Sequence, residues 1–265
     1  MINLSELDPR KIMLAGDWHG NTRWALSCIN KAALWLASEE HKIIVQLGDF
    51  GIWGEELGEY YRQALSEEAK RLGVIIVFLD GNHEDHPLLH RLTGGETVQL
   101  GHLPQVAQNI YWAFRGAQWN WQGHSWVALG GAVSPDRASR REGWSWFPEE
   151  EISVIQAGLV SLGGHSDVMI THDCPSGVTH SFSNSYGFDL KDIARCEWHR
   201  ELLQGVVDYV TPSWLFHGHL HRGYVHEVTM KHGKVTVCGL DMDGEEMNVA
   251  ILDTKSMEFA LPEEL

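Results

Sequence analysis

Three short apolar runs set the rhythm of the chain: Lys11 to Ala15, Ile43 to Leu47 and Val74 to Leu79. Each is near-continuous in hydrophobicity and rich in β-branched residues, which predicts strands buried on both faces. Between them the apolar positions take helical spacing, over Trp24 to Ala37 and again over Glu55 to Leu72. The resulting β-α-β-α-β order predicts a parallel α/β half. A second series of runs follows at Ile110 to Phe114, Ser125 to Gly130, Val168 to Thr171 and Trp214 to Phe216. The C-terminal stretch reads as antiparallel hairpins. Tyr224 to Met230 and Lys234 to Cys238 flank a turn at His232-Gly233, and Met247 to Leu252 and Met257 to Ala260 continue the meander. Pro148, with Glu149, Glu150 and Glu151 beside it, suits a helix N-terminus and predicts a helix to about Leu162. Asp189 is placed to cap a further helix from Leu190 to about Val207. The irregular segments Ser134 to Phe147 and Cys174 to Phe188 are the loops expected to frame a site. With no repeat, low-complexity tract or linker in its 265 residues, the chain is expected to form a single domain, residues 1–265.

Five segments break this pattern with polar chemistry, each just after an apolar run. They are Gly16-Asp17-Trp18-His19-Gly20, Gly48-Asp49, Gly81-Asn82-His83-Glu84, Thr171-His172-Asp173 and Gly218-His219-Leu220-His221. A strand ending at Gly16 brings Asp17 and His19 to its carboxyl edge, where α/β folds place their ligand crevice. Asp49 stands at the corresponding edge of the next strand, and a carboxylate has two oxygens with which to bridge two cations. Asn82 offers a neutral oxygen; His172, His219 and His221 add imidazoles. That set of oxygen and nitrogen donors suits two divalent cations about 3.5–4 Å apart, able to turn a shared water into a nucleophile. Any one segment has an ordinary structural explanation, a turn or a buried histidine. All five in order, each behind a strand-like run, do not.

In this order the segments resemble the calcineurin-like metallophosphoesterase family, whose pattern is GDxHG, GDxx, GNH(D/E), a lone His and GHxH. The motifs reach from about residue 12 to residue 222, most of the chain. The resemblance implies a four-layer α/β/β/α sandwich with two mixed β-sheets and a dimetal site on one edge. It implies that one ion takes Asp17, His19, Asp49 and His221, and the other Asp49, Asn82, His172 and His219. It further implies that His83 is not a ligand but a catalytic residue that protonates or stabilises the leaving oxygen, a task suited to an imidazole. The reaction so implied is in-line attack of a metal-bridging hydroxide on phosphorus. The protein Ser/Thr phosphatases of the superfamily extend the second motif to GDxxDRG. Here the stretch is Gly48-Asp49-Phe50-Gly51-Ile52-Trp53-Gly54, without the second Asp or the Arg. That departure argues against a phosphoprotein substrate and leaves open which acid, if any, orients His83. The chain looks more like the compact bacterial and phage members. His217 is read as a strand-end residue, and His86, His180 and His199 as surface or supporting residues.

Composition narrows the partners. A formal net charge of −16 opposes nonspecific binding to nucleic acid or an anionic membrane. It leaves an anionic substrate open, because the cations reverse the local potential. Nucleic acid therefore remains possible only without an autonomous binding surface, as for a nuclease subunit recruited by a partner. The four cysteines form no CxxC pair, which fits reduced thiols in a cytoplasm. No apolar run is long enough for a bilayer, and the polar, acidic start is unlike a signal peptide. The loop Ser134 to Arg141 gathers three arginines, and Arg222 follows the last motif. Arg137 and Arg222 are the expected phosphate contacts, with Arg140 and Arg141 behind them. Tryptophans crowd the middle of the chain at 112, 119, 121, 126, 144 and 146. Core packing accounts for them; a stacking wall for a nucleobase is the sharper alternative.

The expected function is therefore a dimetal-dependent phosphoesterase, leaning to phosphodiesters of nucleotide type. A phosphomonoesterase is the alternative within the class, and a non-catalytic scaffold on the same fold the alternative outside it. Manganese suits the oxygen-rich donor set best; iron, zinc and nickel fit the same chemistry. Oligomeric state is not legible.

Overall fold

The computed structural model describes residues 1–94, 101–178 and 187–261. In chain order, β1 is Ile2–Asn3, β2 Lys11–Ala15, α1 Thr22–Trp35, β3 Lys42–Gln46, α2 Glu56–Leu72, β4 Val74–Phe78 and α3 His86–Leu92. Then come β5 His102–Leu103, β6 Gln105–Ala107, β7 Ile110–Trp112, β8 Gln118–Trp121, β9 His124–Leu129, α4 Val154–Leu162 and β10 Val168–Thr171. The chain continues with α5 Leu190–Val210, β11 Trp214–His217, β12 Tyr224–Met230, β13 Gly233–Gly239, β14 Val249–Asp253 and β15 Phe259–Ala260.

Two mixed sheets result. The first has seven strands in the order β15-β14-β2-β3-β4-β7-β6, the second six in the order β12-β13-β11-β10-β9-β8. The centre of each is parallel: β2, β3, β4 and β7 run together, as do β9, β10, β11 and β13. Alternation along the strands divides the apolar side chains into layers. Ile12, Leu14, Ile43 and Val45 of the first sheet meet Trp119, Trp126, Ile170 and Phe216 of the second in a shared inner core. Met13, Ala15, Ile44 and Ile76 face the other way, onto Ala25, Ile29 and Leu65 of α1 and α2. Val127, Leu129, Met169 and Leu215 do the same against Ala157, Val160, Leu203 and Val207 of α4 and α5. The layers are thus α/β/β/α. Among the described residues no helix is long and apolar enough to cross a membrane.

Three local expectations shift. The helix expected from Pro148 begins at Val154, because Ser153 and Gln156 form a reciprocal capping box there. Pro148–Glu150 is a separate 3-10 turn whose Glu150 points into the protein. The hairpin turn falls one residue earlier, on Lys231-His232, with Met230 paired to Gly233. The last helix runs to Val210 rather than Val207, ending at a left-handed Thr211. Helix α3 and strand β8 were not expected. Of the six central tryptophans, Trp112, Trp119, Trp121, Trp126 and Trp146 are buried, and Trp144 is 67% exposed.

Candidate metal centre

All five polar segments lie at carboxyl ends of parallel strands, three in the first sheet and two in the second. Asp17 follows β2, Asp49 follows β3 and Asn82 follows β4; His172 follows β10, and His219 and His221 follow β11. Register keeps these ends level: Ala15 pairs with Gln46, Gln46 with Phe78, and Ile170 with Phe216. The sheets are stitched together here by His172, whose Nδ1 lies 2.8 Å from the Leu47 carbonyl. Two glycines permit the approach. A Cβ on Gly81 would lie 2.1 Å from Asp49 Oδ1, and one on Gly218 2.2 Å from Asp17 Oδ1.

The donors converge. Asp49 Oδ1 is 3.3 Å from His172 Nε2, and Asp49 Oδ2 is 3.5 Å from His19 Nε2. Asn82 Oδ1 lies 3.2 Å from His172 Nε2, and Asp17 Oδ2 lies 3.0 Å from His221 Nε2. Asp17, His19 and His221 form one group with donor atoms within 4.8 Å of one another; Asp49, His172 and His219 form another. Asp49 reaches both neighbourhoods, one oxygen toward each. Histidine tautomers suit metal ligation. A carbonyl only accepts, so His172 Nδ1 carries a proton, and Nε2 faces the Asp49 and Asn82 oxygens, where a metal ion would replace its second proton. His19 Nδ1 is held by Asp243 Oδ1 at 2.9 Å, which turns Nε2 inward. Chain strain coincides with the site: His19, Asp49, His219 and His221 have φ of 45°, 54°, 62° and 48°. A left-handed residue other than glycine costs roughly 1–3 kcal/mol and persists where the surroundings enforce it.

The electrostatics agree with a cation site. Burial raises the Asp17 and Asp49 carboxyls, yet the facing histidines outweigh it and hold both below the usual range, Asp49 well below. Burial lowers His19 and His172, but the carboxylates bring them up to about 9 and about 10. The protein has gathered negative charge that only cations relieve, protons here or metal ions in their place. His219, with burial dominant, falls to about 4 and offers a neutral ring.

His83 stands at the rim. Its backbone N–H donates to Asp49 Oδ1 at 2.9 Å, and its Nε2 is 3.8 Å from Asp49 Oδ2. Arg140 Nη2 donates to that same Nε2 at 2.8 Å, which makes Nε2 the acceptor and opposes a metal ion on it. Burial, helped by the Arg140 and His19 charges, outweighs the pull of Asp49 and leaves His83 below its usual pKa. What meets the His83 ring is an ion-paired arginine rather than the acid that the DRG motif would supply: Arg140 Nε lies 2.7 Å from Asp136 Oδ1.

The other candidates fall outside the cluster. Arg137 stacks on Trp146 at 4.2 Å, in a hollow it shares with Arg140, Asp189 and Asp192. Arg222 is exposed beside His221, and Arg141 is exposed on the loop. The arginine bonded to His83 is thus Arg140, three residues beyond the first candidate: Asp136 and His83 hold Arg140, while Arg137 lies over Trp146. His217 is buried; its Nδ1 donates to the Gly218 carbonyl and its Nε2 accepts from Tyr224, while its own carbonyl bonds Leu240. His86 is buried on α3, and His199 is buried on α5 with Nδ1 2.7 Å from Asp173 Oδ2. His180 lies outside the described residues.

Sequence reasoning missed the supports. Gln46 Nε2 donates to the carbonyls of Gly16 and Gly48, tying two site loops together. Buried Glu84 accepts from the Gly51 and Gly81 amides, and desolvation lifts it to about 8. Ser134 donates its amide and hydroxyl to Glu150 and accepts from Asn82 Nδ2 at 3.1 Å, fixing the oxygen of Asn82 toward His172.

Burial raises Glu150 to about 7 against the partial relief of its Ser134 bonds. The folded state therefore holds that proton more tightly than the unfolded chain, whose carboxyl titrates near 4.5. The associated stability is complete below the unfolded value and is lost as pH rises through about 7. The stability of the wild type relative to Glu150→Gln should fall by up to about 3 kcal/mol between pH 4.5 and 7.5. Urea unfolding of both proteins across that range checks it; a constant difference contradicts it.

Comparison with known proteins agrees with this geometry. The family model described as calcineurin-like phosphoesterase matches residues 10–223. No protein with curated annotation matches the chain. Among solved structures, the crystal structure of TT1561 of Thermus thermophilus aligns with a TM-score of 0.56 at 12% identity, covering 95% of this chain and 97% of that one. At that identity the likeness is one of fold.

Proposed function

Because the chain belongs to the calcineurin-like phosphoesterase family, we propose that it hydrolyses phosphate esters with two divalent cations. Asp17, His19, Asp49 and His221 would hold one, and Asp49, Asn82, His172 and His219 the other. The observation that carries this reading is Asp49, with one oxygen toward His19 and the other toward His172. When bound, such a pair supplies Lewis acidity and a nucleophile drawn from water. The chain's own residues do the rest. Asp243 and the Leu47 carbonyl aim the imidazoles. Arg140 offers N–H donors at the rim to the oxygens of the ester. Once Arg140 turns to the phosphate, the His83 Nε2 lone pair is free to take a proton from solvent and pass it to the leaving oxygen.

A diester is the preferred substrate in this reading. A single arginine, already paired with Asp136, balances one phosphate charge better than the two of a monoester. Manganese is the favoured metal on the oxygen share of the donors. The shared inner core supports one domain over residues 1–265, and the four free cysteines suit a reducing cytoplasm.

Purified protein loaded in turn with manganese, iron, zinc and nickel should be offered a bis-aryl phosphodiester, an aryl monoester, cyclic nucleotides and single-stranded DNA. Diesters should turn over fastest, with manganese most effective. Faster monoester cleavage replaces this reading with a phosphomonoesterase. Metal-loaded protein that cleaves nothing is instead a scaffold.

A further inference from the structure

Beside His83 the surface opens into a cavity of about 690 Å³, within the range of small-molecule sites. Its inner end is polar, formed by His83 and Arg140, and its walls are aromatic, formed by Trp53, Trp144 and Phe147. Trp53 is a fixed wall. Its indole N–H donates to the His83 carbonyl at 2.7 Å, and its ring leaves no space for a Cβ on Gly20. Trp144 is the opposite case. It sits on the tip of the Ser134 to Phe147 loop with 67% of its surface exposed, beside neighbours that are well anchored. Ala138 N donates to Asp192 Oδ2, Arg137 covers Trp146, and Ser134 is held by Glu150. The loop is thus braced on both sides of an indole that is left uncovered over a cavity.

We propose that this cavity is a ring-binding subsite of the phosphoester site, taking a planar nitrogen heterocycle such as a nucleobase while the phosphate lies at Arg140 and the metal centre. The proposal rests on the phosphoesterase reading and names its substrate class. Stacking on Trp144 covers apolar surface on both partners and tolerates any base with a π face. The charged rim narrows the class further. Glu55, Asp85 and Asp136 line the cavity, and Arg140 is the one cationic side chain among its described lining residues. Carboxylates accept from ring and exocyclic N–H groups and repel additional phosphates. The ligand is therefore a nucleoside ester with one phosphate, and nucleoside polyphosphates are disfavoured. Phosphoprotein substrates carry no such ring to fill the cavity.

Calorimetric titration of manganese-loaded protein with adenosine 5′-monophosphate and with ribose 5-phosphate isolates the ring. The wild type should bind the nucleotide at least 10-fold more tightly than the sugar phosphate. Trp144→Ala should bring that ratio to within about 2-fold, and Trp144→Phe, which keeps a stacking face, should restore most of it. Exposure of Trp144 makes these variants safe for folding, whereas Trp53 is bonded to His83 and is left intact. Equal wild-type affinities, no nucleotide binding, or a ratio that survives Trp144→Ala overturns the proposal. Failure of the phosphoesterase reading is separate: no ester is cleaved, while the ratio and its dependence on Trp144 stay as they are.

Discussion

Asp49→Asn should lower turnover of a bis-aryl phosphodiester by about a thousandfold or more while leaving the fold intact. The carboxylate is 1% exposed and stands between two histidines that approach its two oxygens at 3.3 and 3.5 Å. Asn has the same shape and keeps one oxygen, so the His83 amide retains its acceptor. The other oxygen becomes an N–H₂ group, which cannot ligate and points a partial positive charge at one cation position. One of the two metal positions should therefore be lost and the other weakened. Metal content after dialysis, measured alongside turnover, checks both parts. An active variant with unchanged metal content contradicts the bridging role.

Arg115→Ala should be the most destabilising single change outside the hydrophobic core, by about 3–5 kcal/mol. Arg115 follows β7 and has a side chain only 6% exposed. It donates to Asp80 Oδ2 at 2.9 Å, to the carbonyls of Glu149, Glu150 and Glu151, and to Gln156 Oε1. Asp80 is 1% exposed at the end of β4, two residues before Asn82. Removing Arg115 leaves that carboxylate with the Trp112 indole N–H at 3.0 Å and without its cation. It also removes the arginine donor from the Glu149 and Glu151 carbonyls and one of the two donors, Arg115 and the Ala132 amide, from the Glu150 carbonyl. Arg115→Lys should recover only part of the loss, since an ammonium cannot reproduce the fork. Urea unfolding gives the comparison, and a loss under 1 kcal/mol contradicts the account.

The Asp/His cluster was legible because its chemistry is written locally. Each candidate ligand follows a strand within a few residues, and glycine marks the turn, so pattern and motif coincide. Gln46 and Glu84 bond within a few residues of the motifs, but the other residues that hold the ligands carry no such signal, since their partners are far away in sequence. Asp243 lies 224 residues from His19, Arg140 lies 57 from His83, and Arg115 lies 35 from Asp80. Only the fold brings them together. Other misses left a trace. The alternation of Gln118, Trp119, Asn120 and Trp121 is the period of a half-buried strand, obscured by the density of tryptophan. Asp85 and Pro87 mark the start of α3, but its seven residues are too few for a periodic signal. Ser153 with Gln156 is a stronger start than Pro148, whose neighbouring Glu150 is drawn inward by Ser134. Arg137 and Arg140 are equivalent in sequence, and their partners decide which one meets His83: Trp146 holds Arg137, and Asp136 aims Arg140.

The central claim is that a pair of cations shares Asp49. Anomalous diffraction from crystals soaked in manganese tests it most directly. The expected map has two peaks, one between Asp49 and the Asp17, His19 and His221 group, the other between Asp49 and the Asn82, His172 and His219 group. A single peak, or peaks that leave Asp49 untouched, contradicts it.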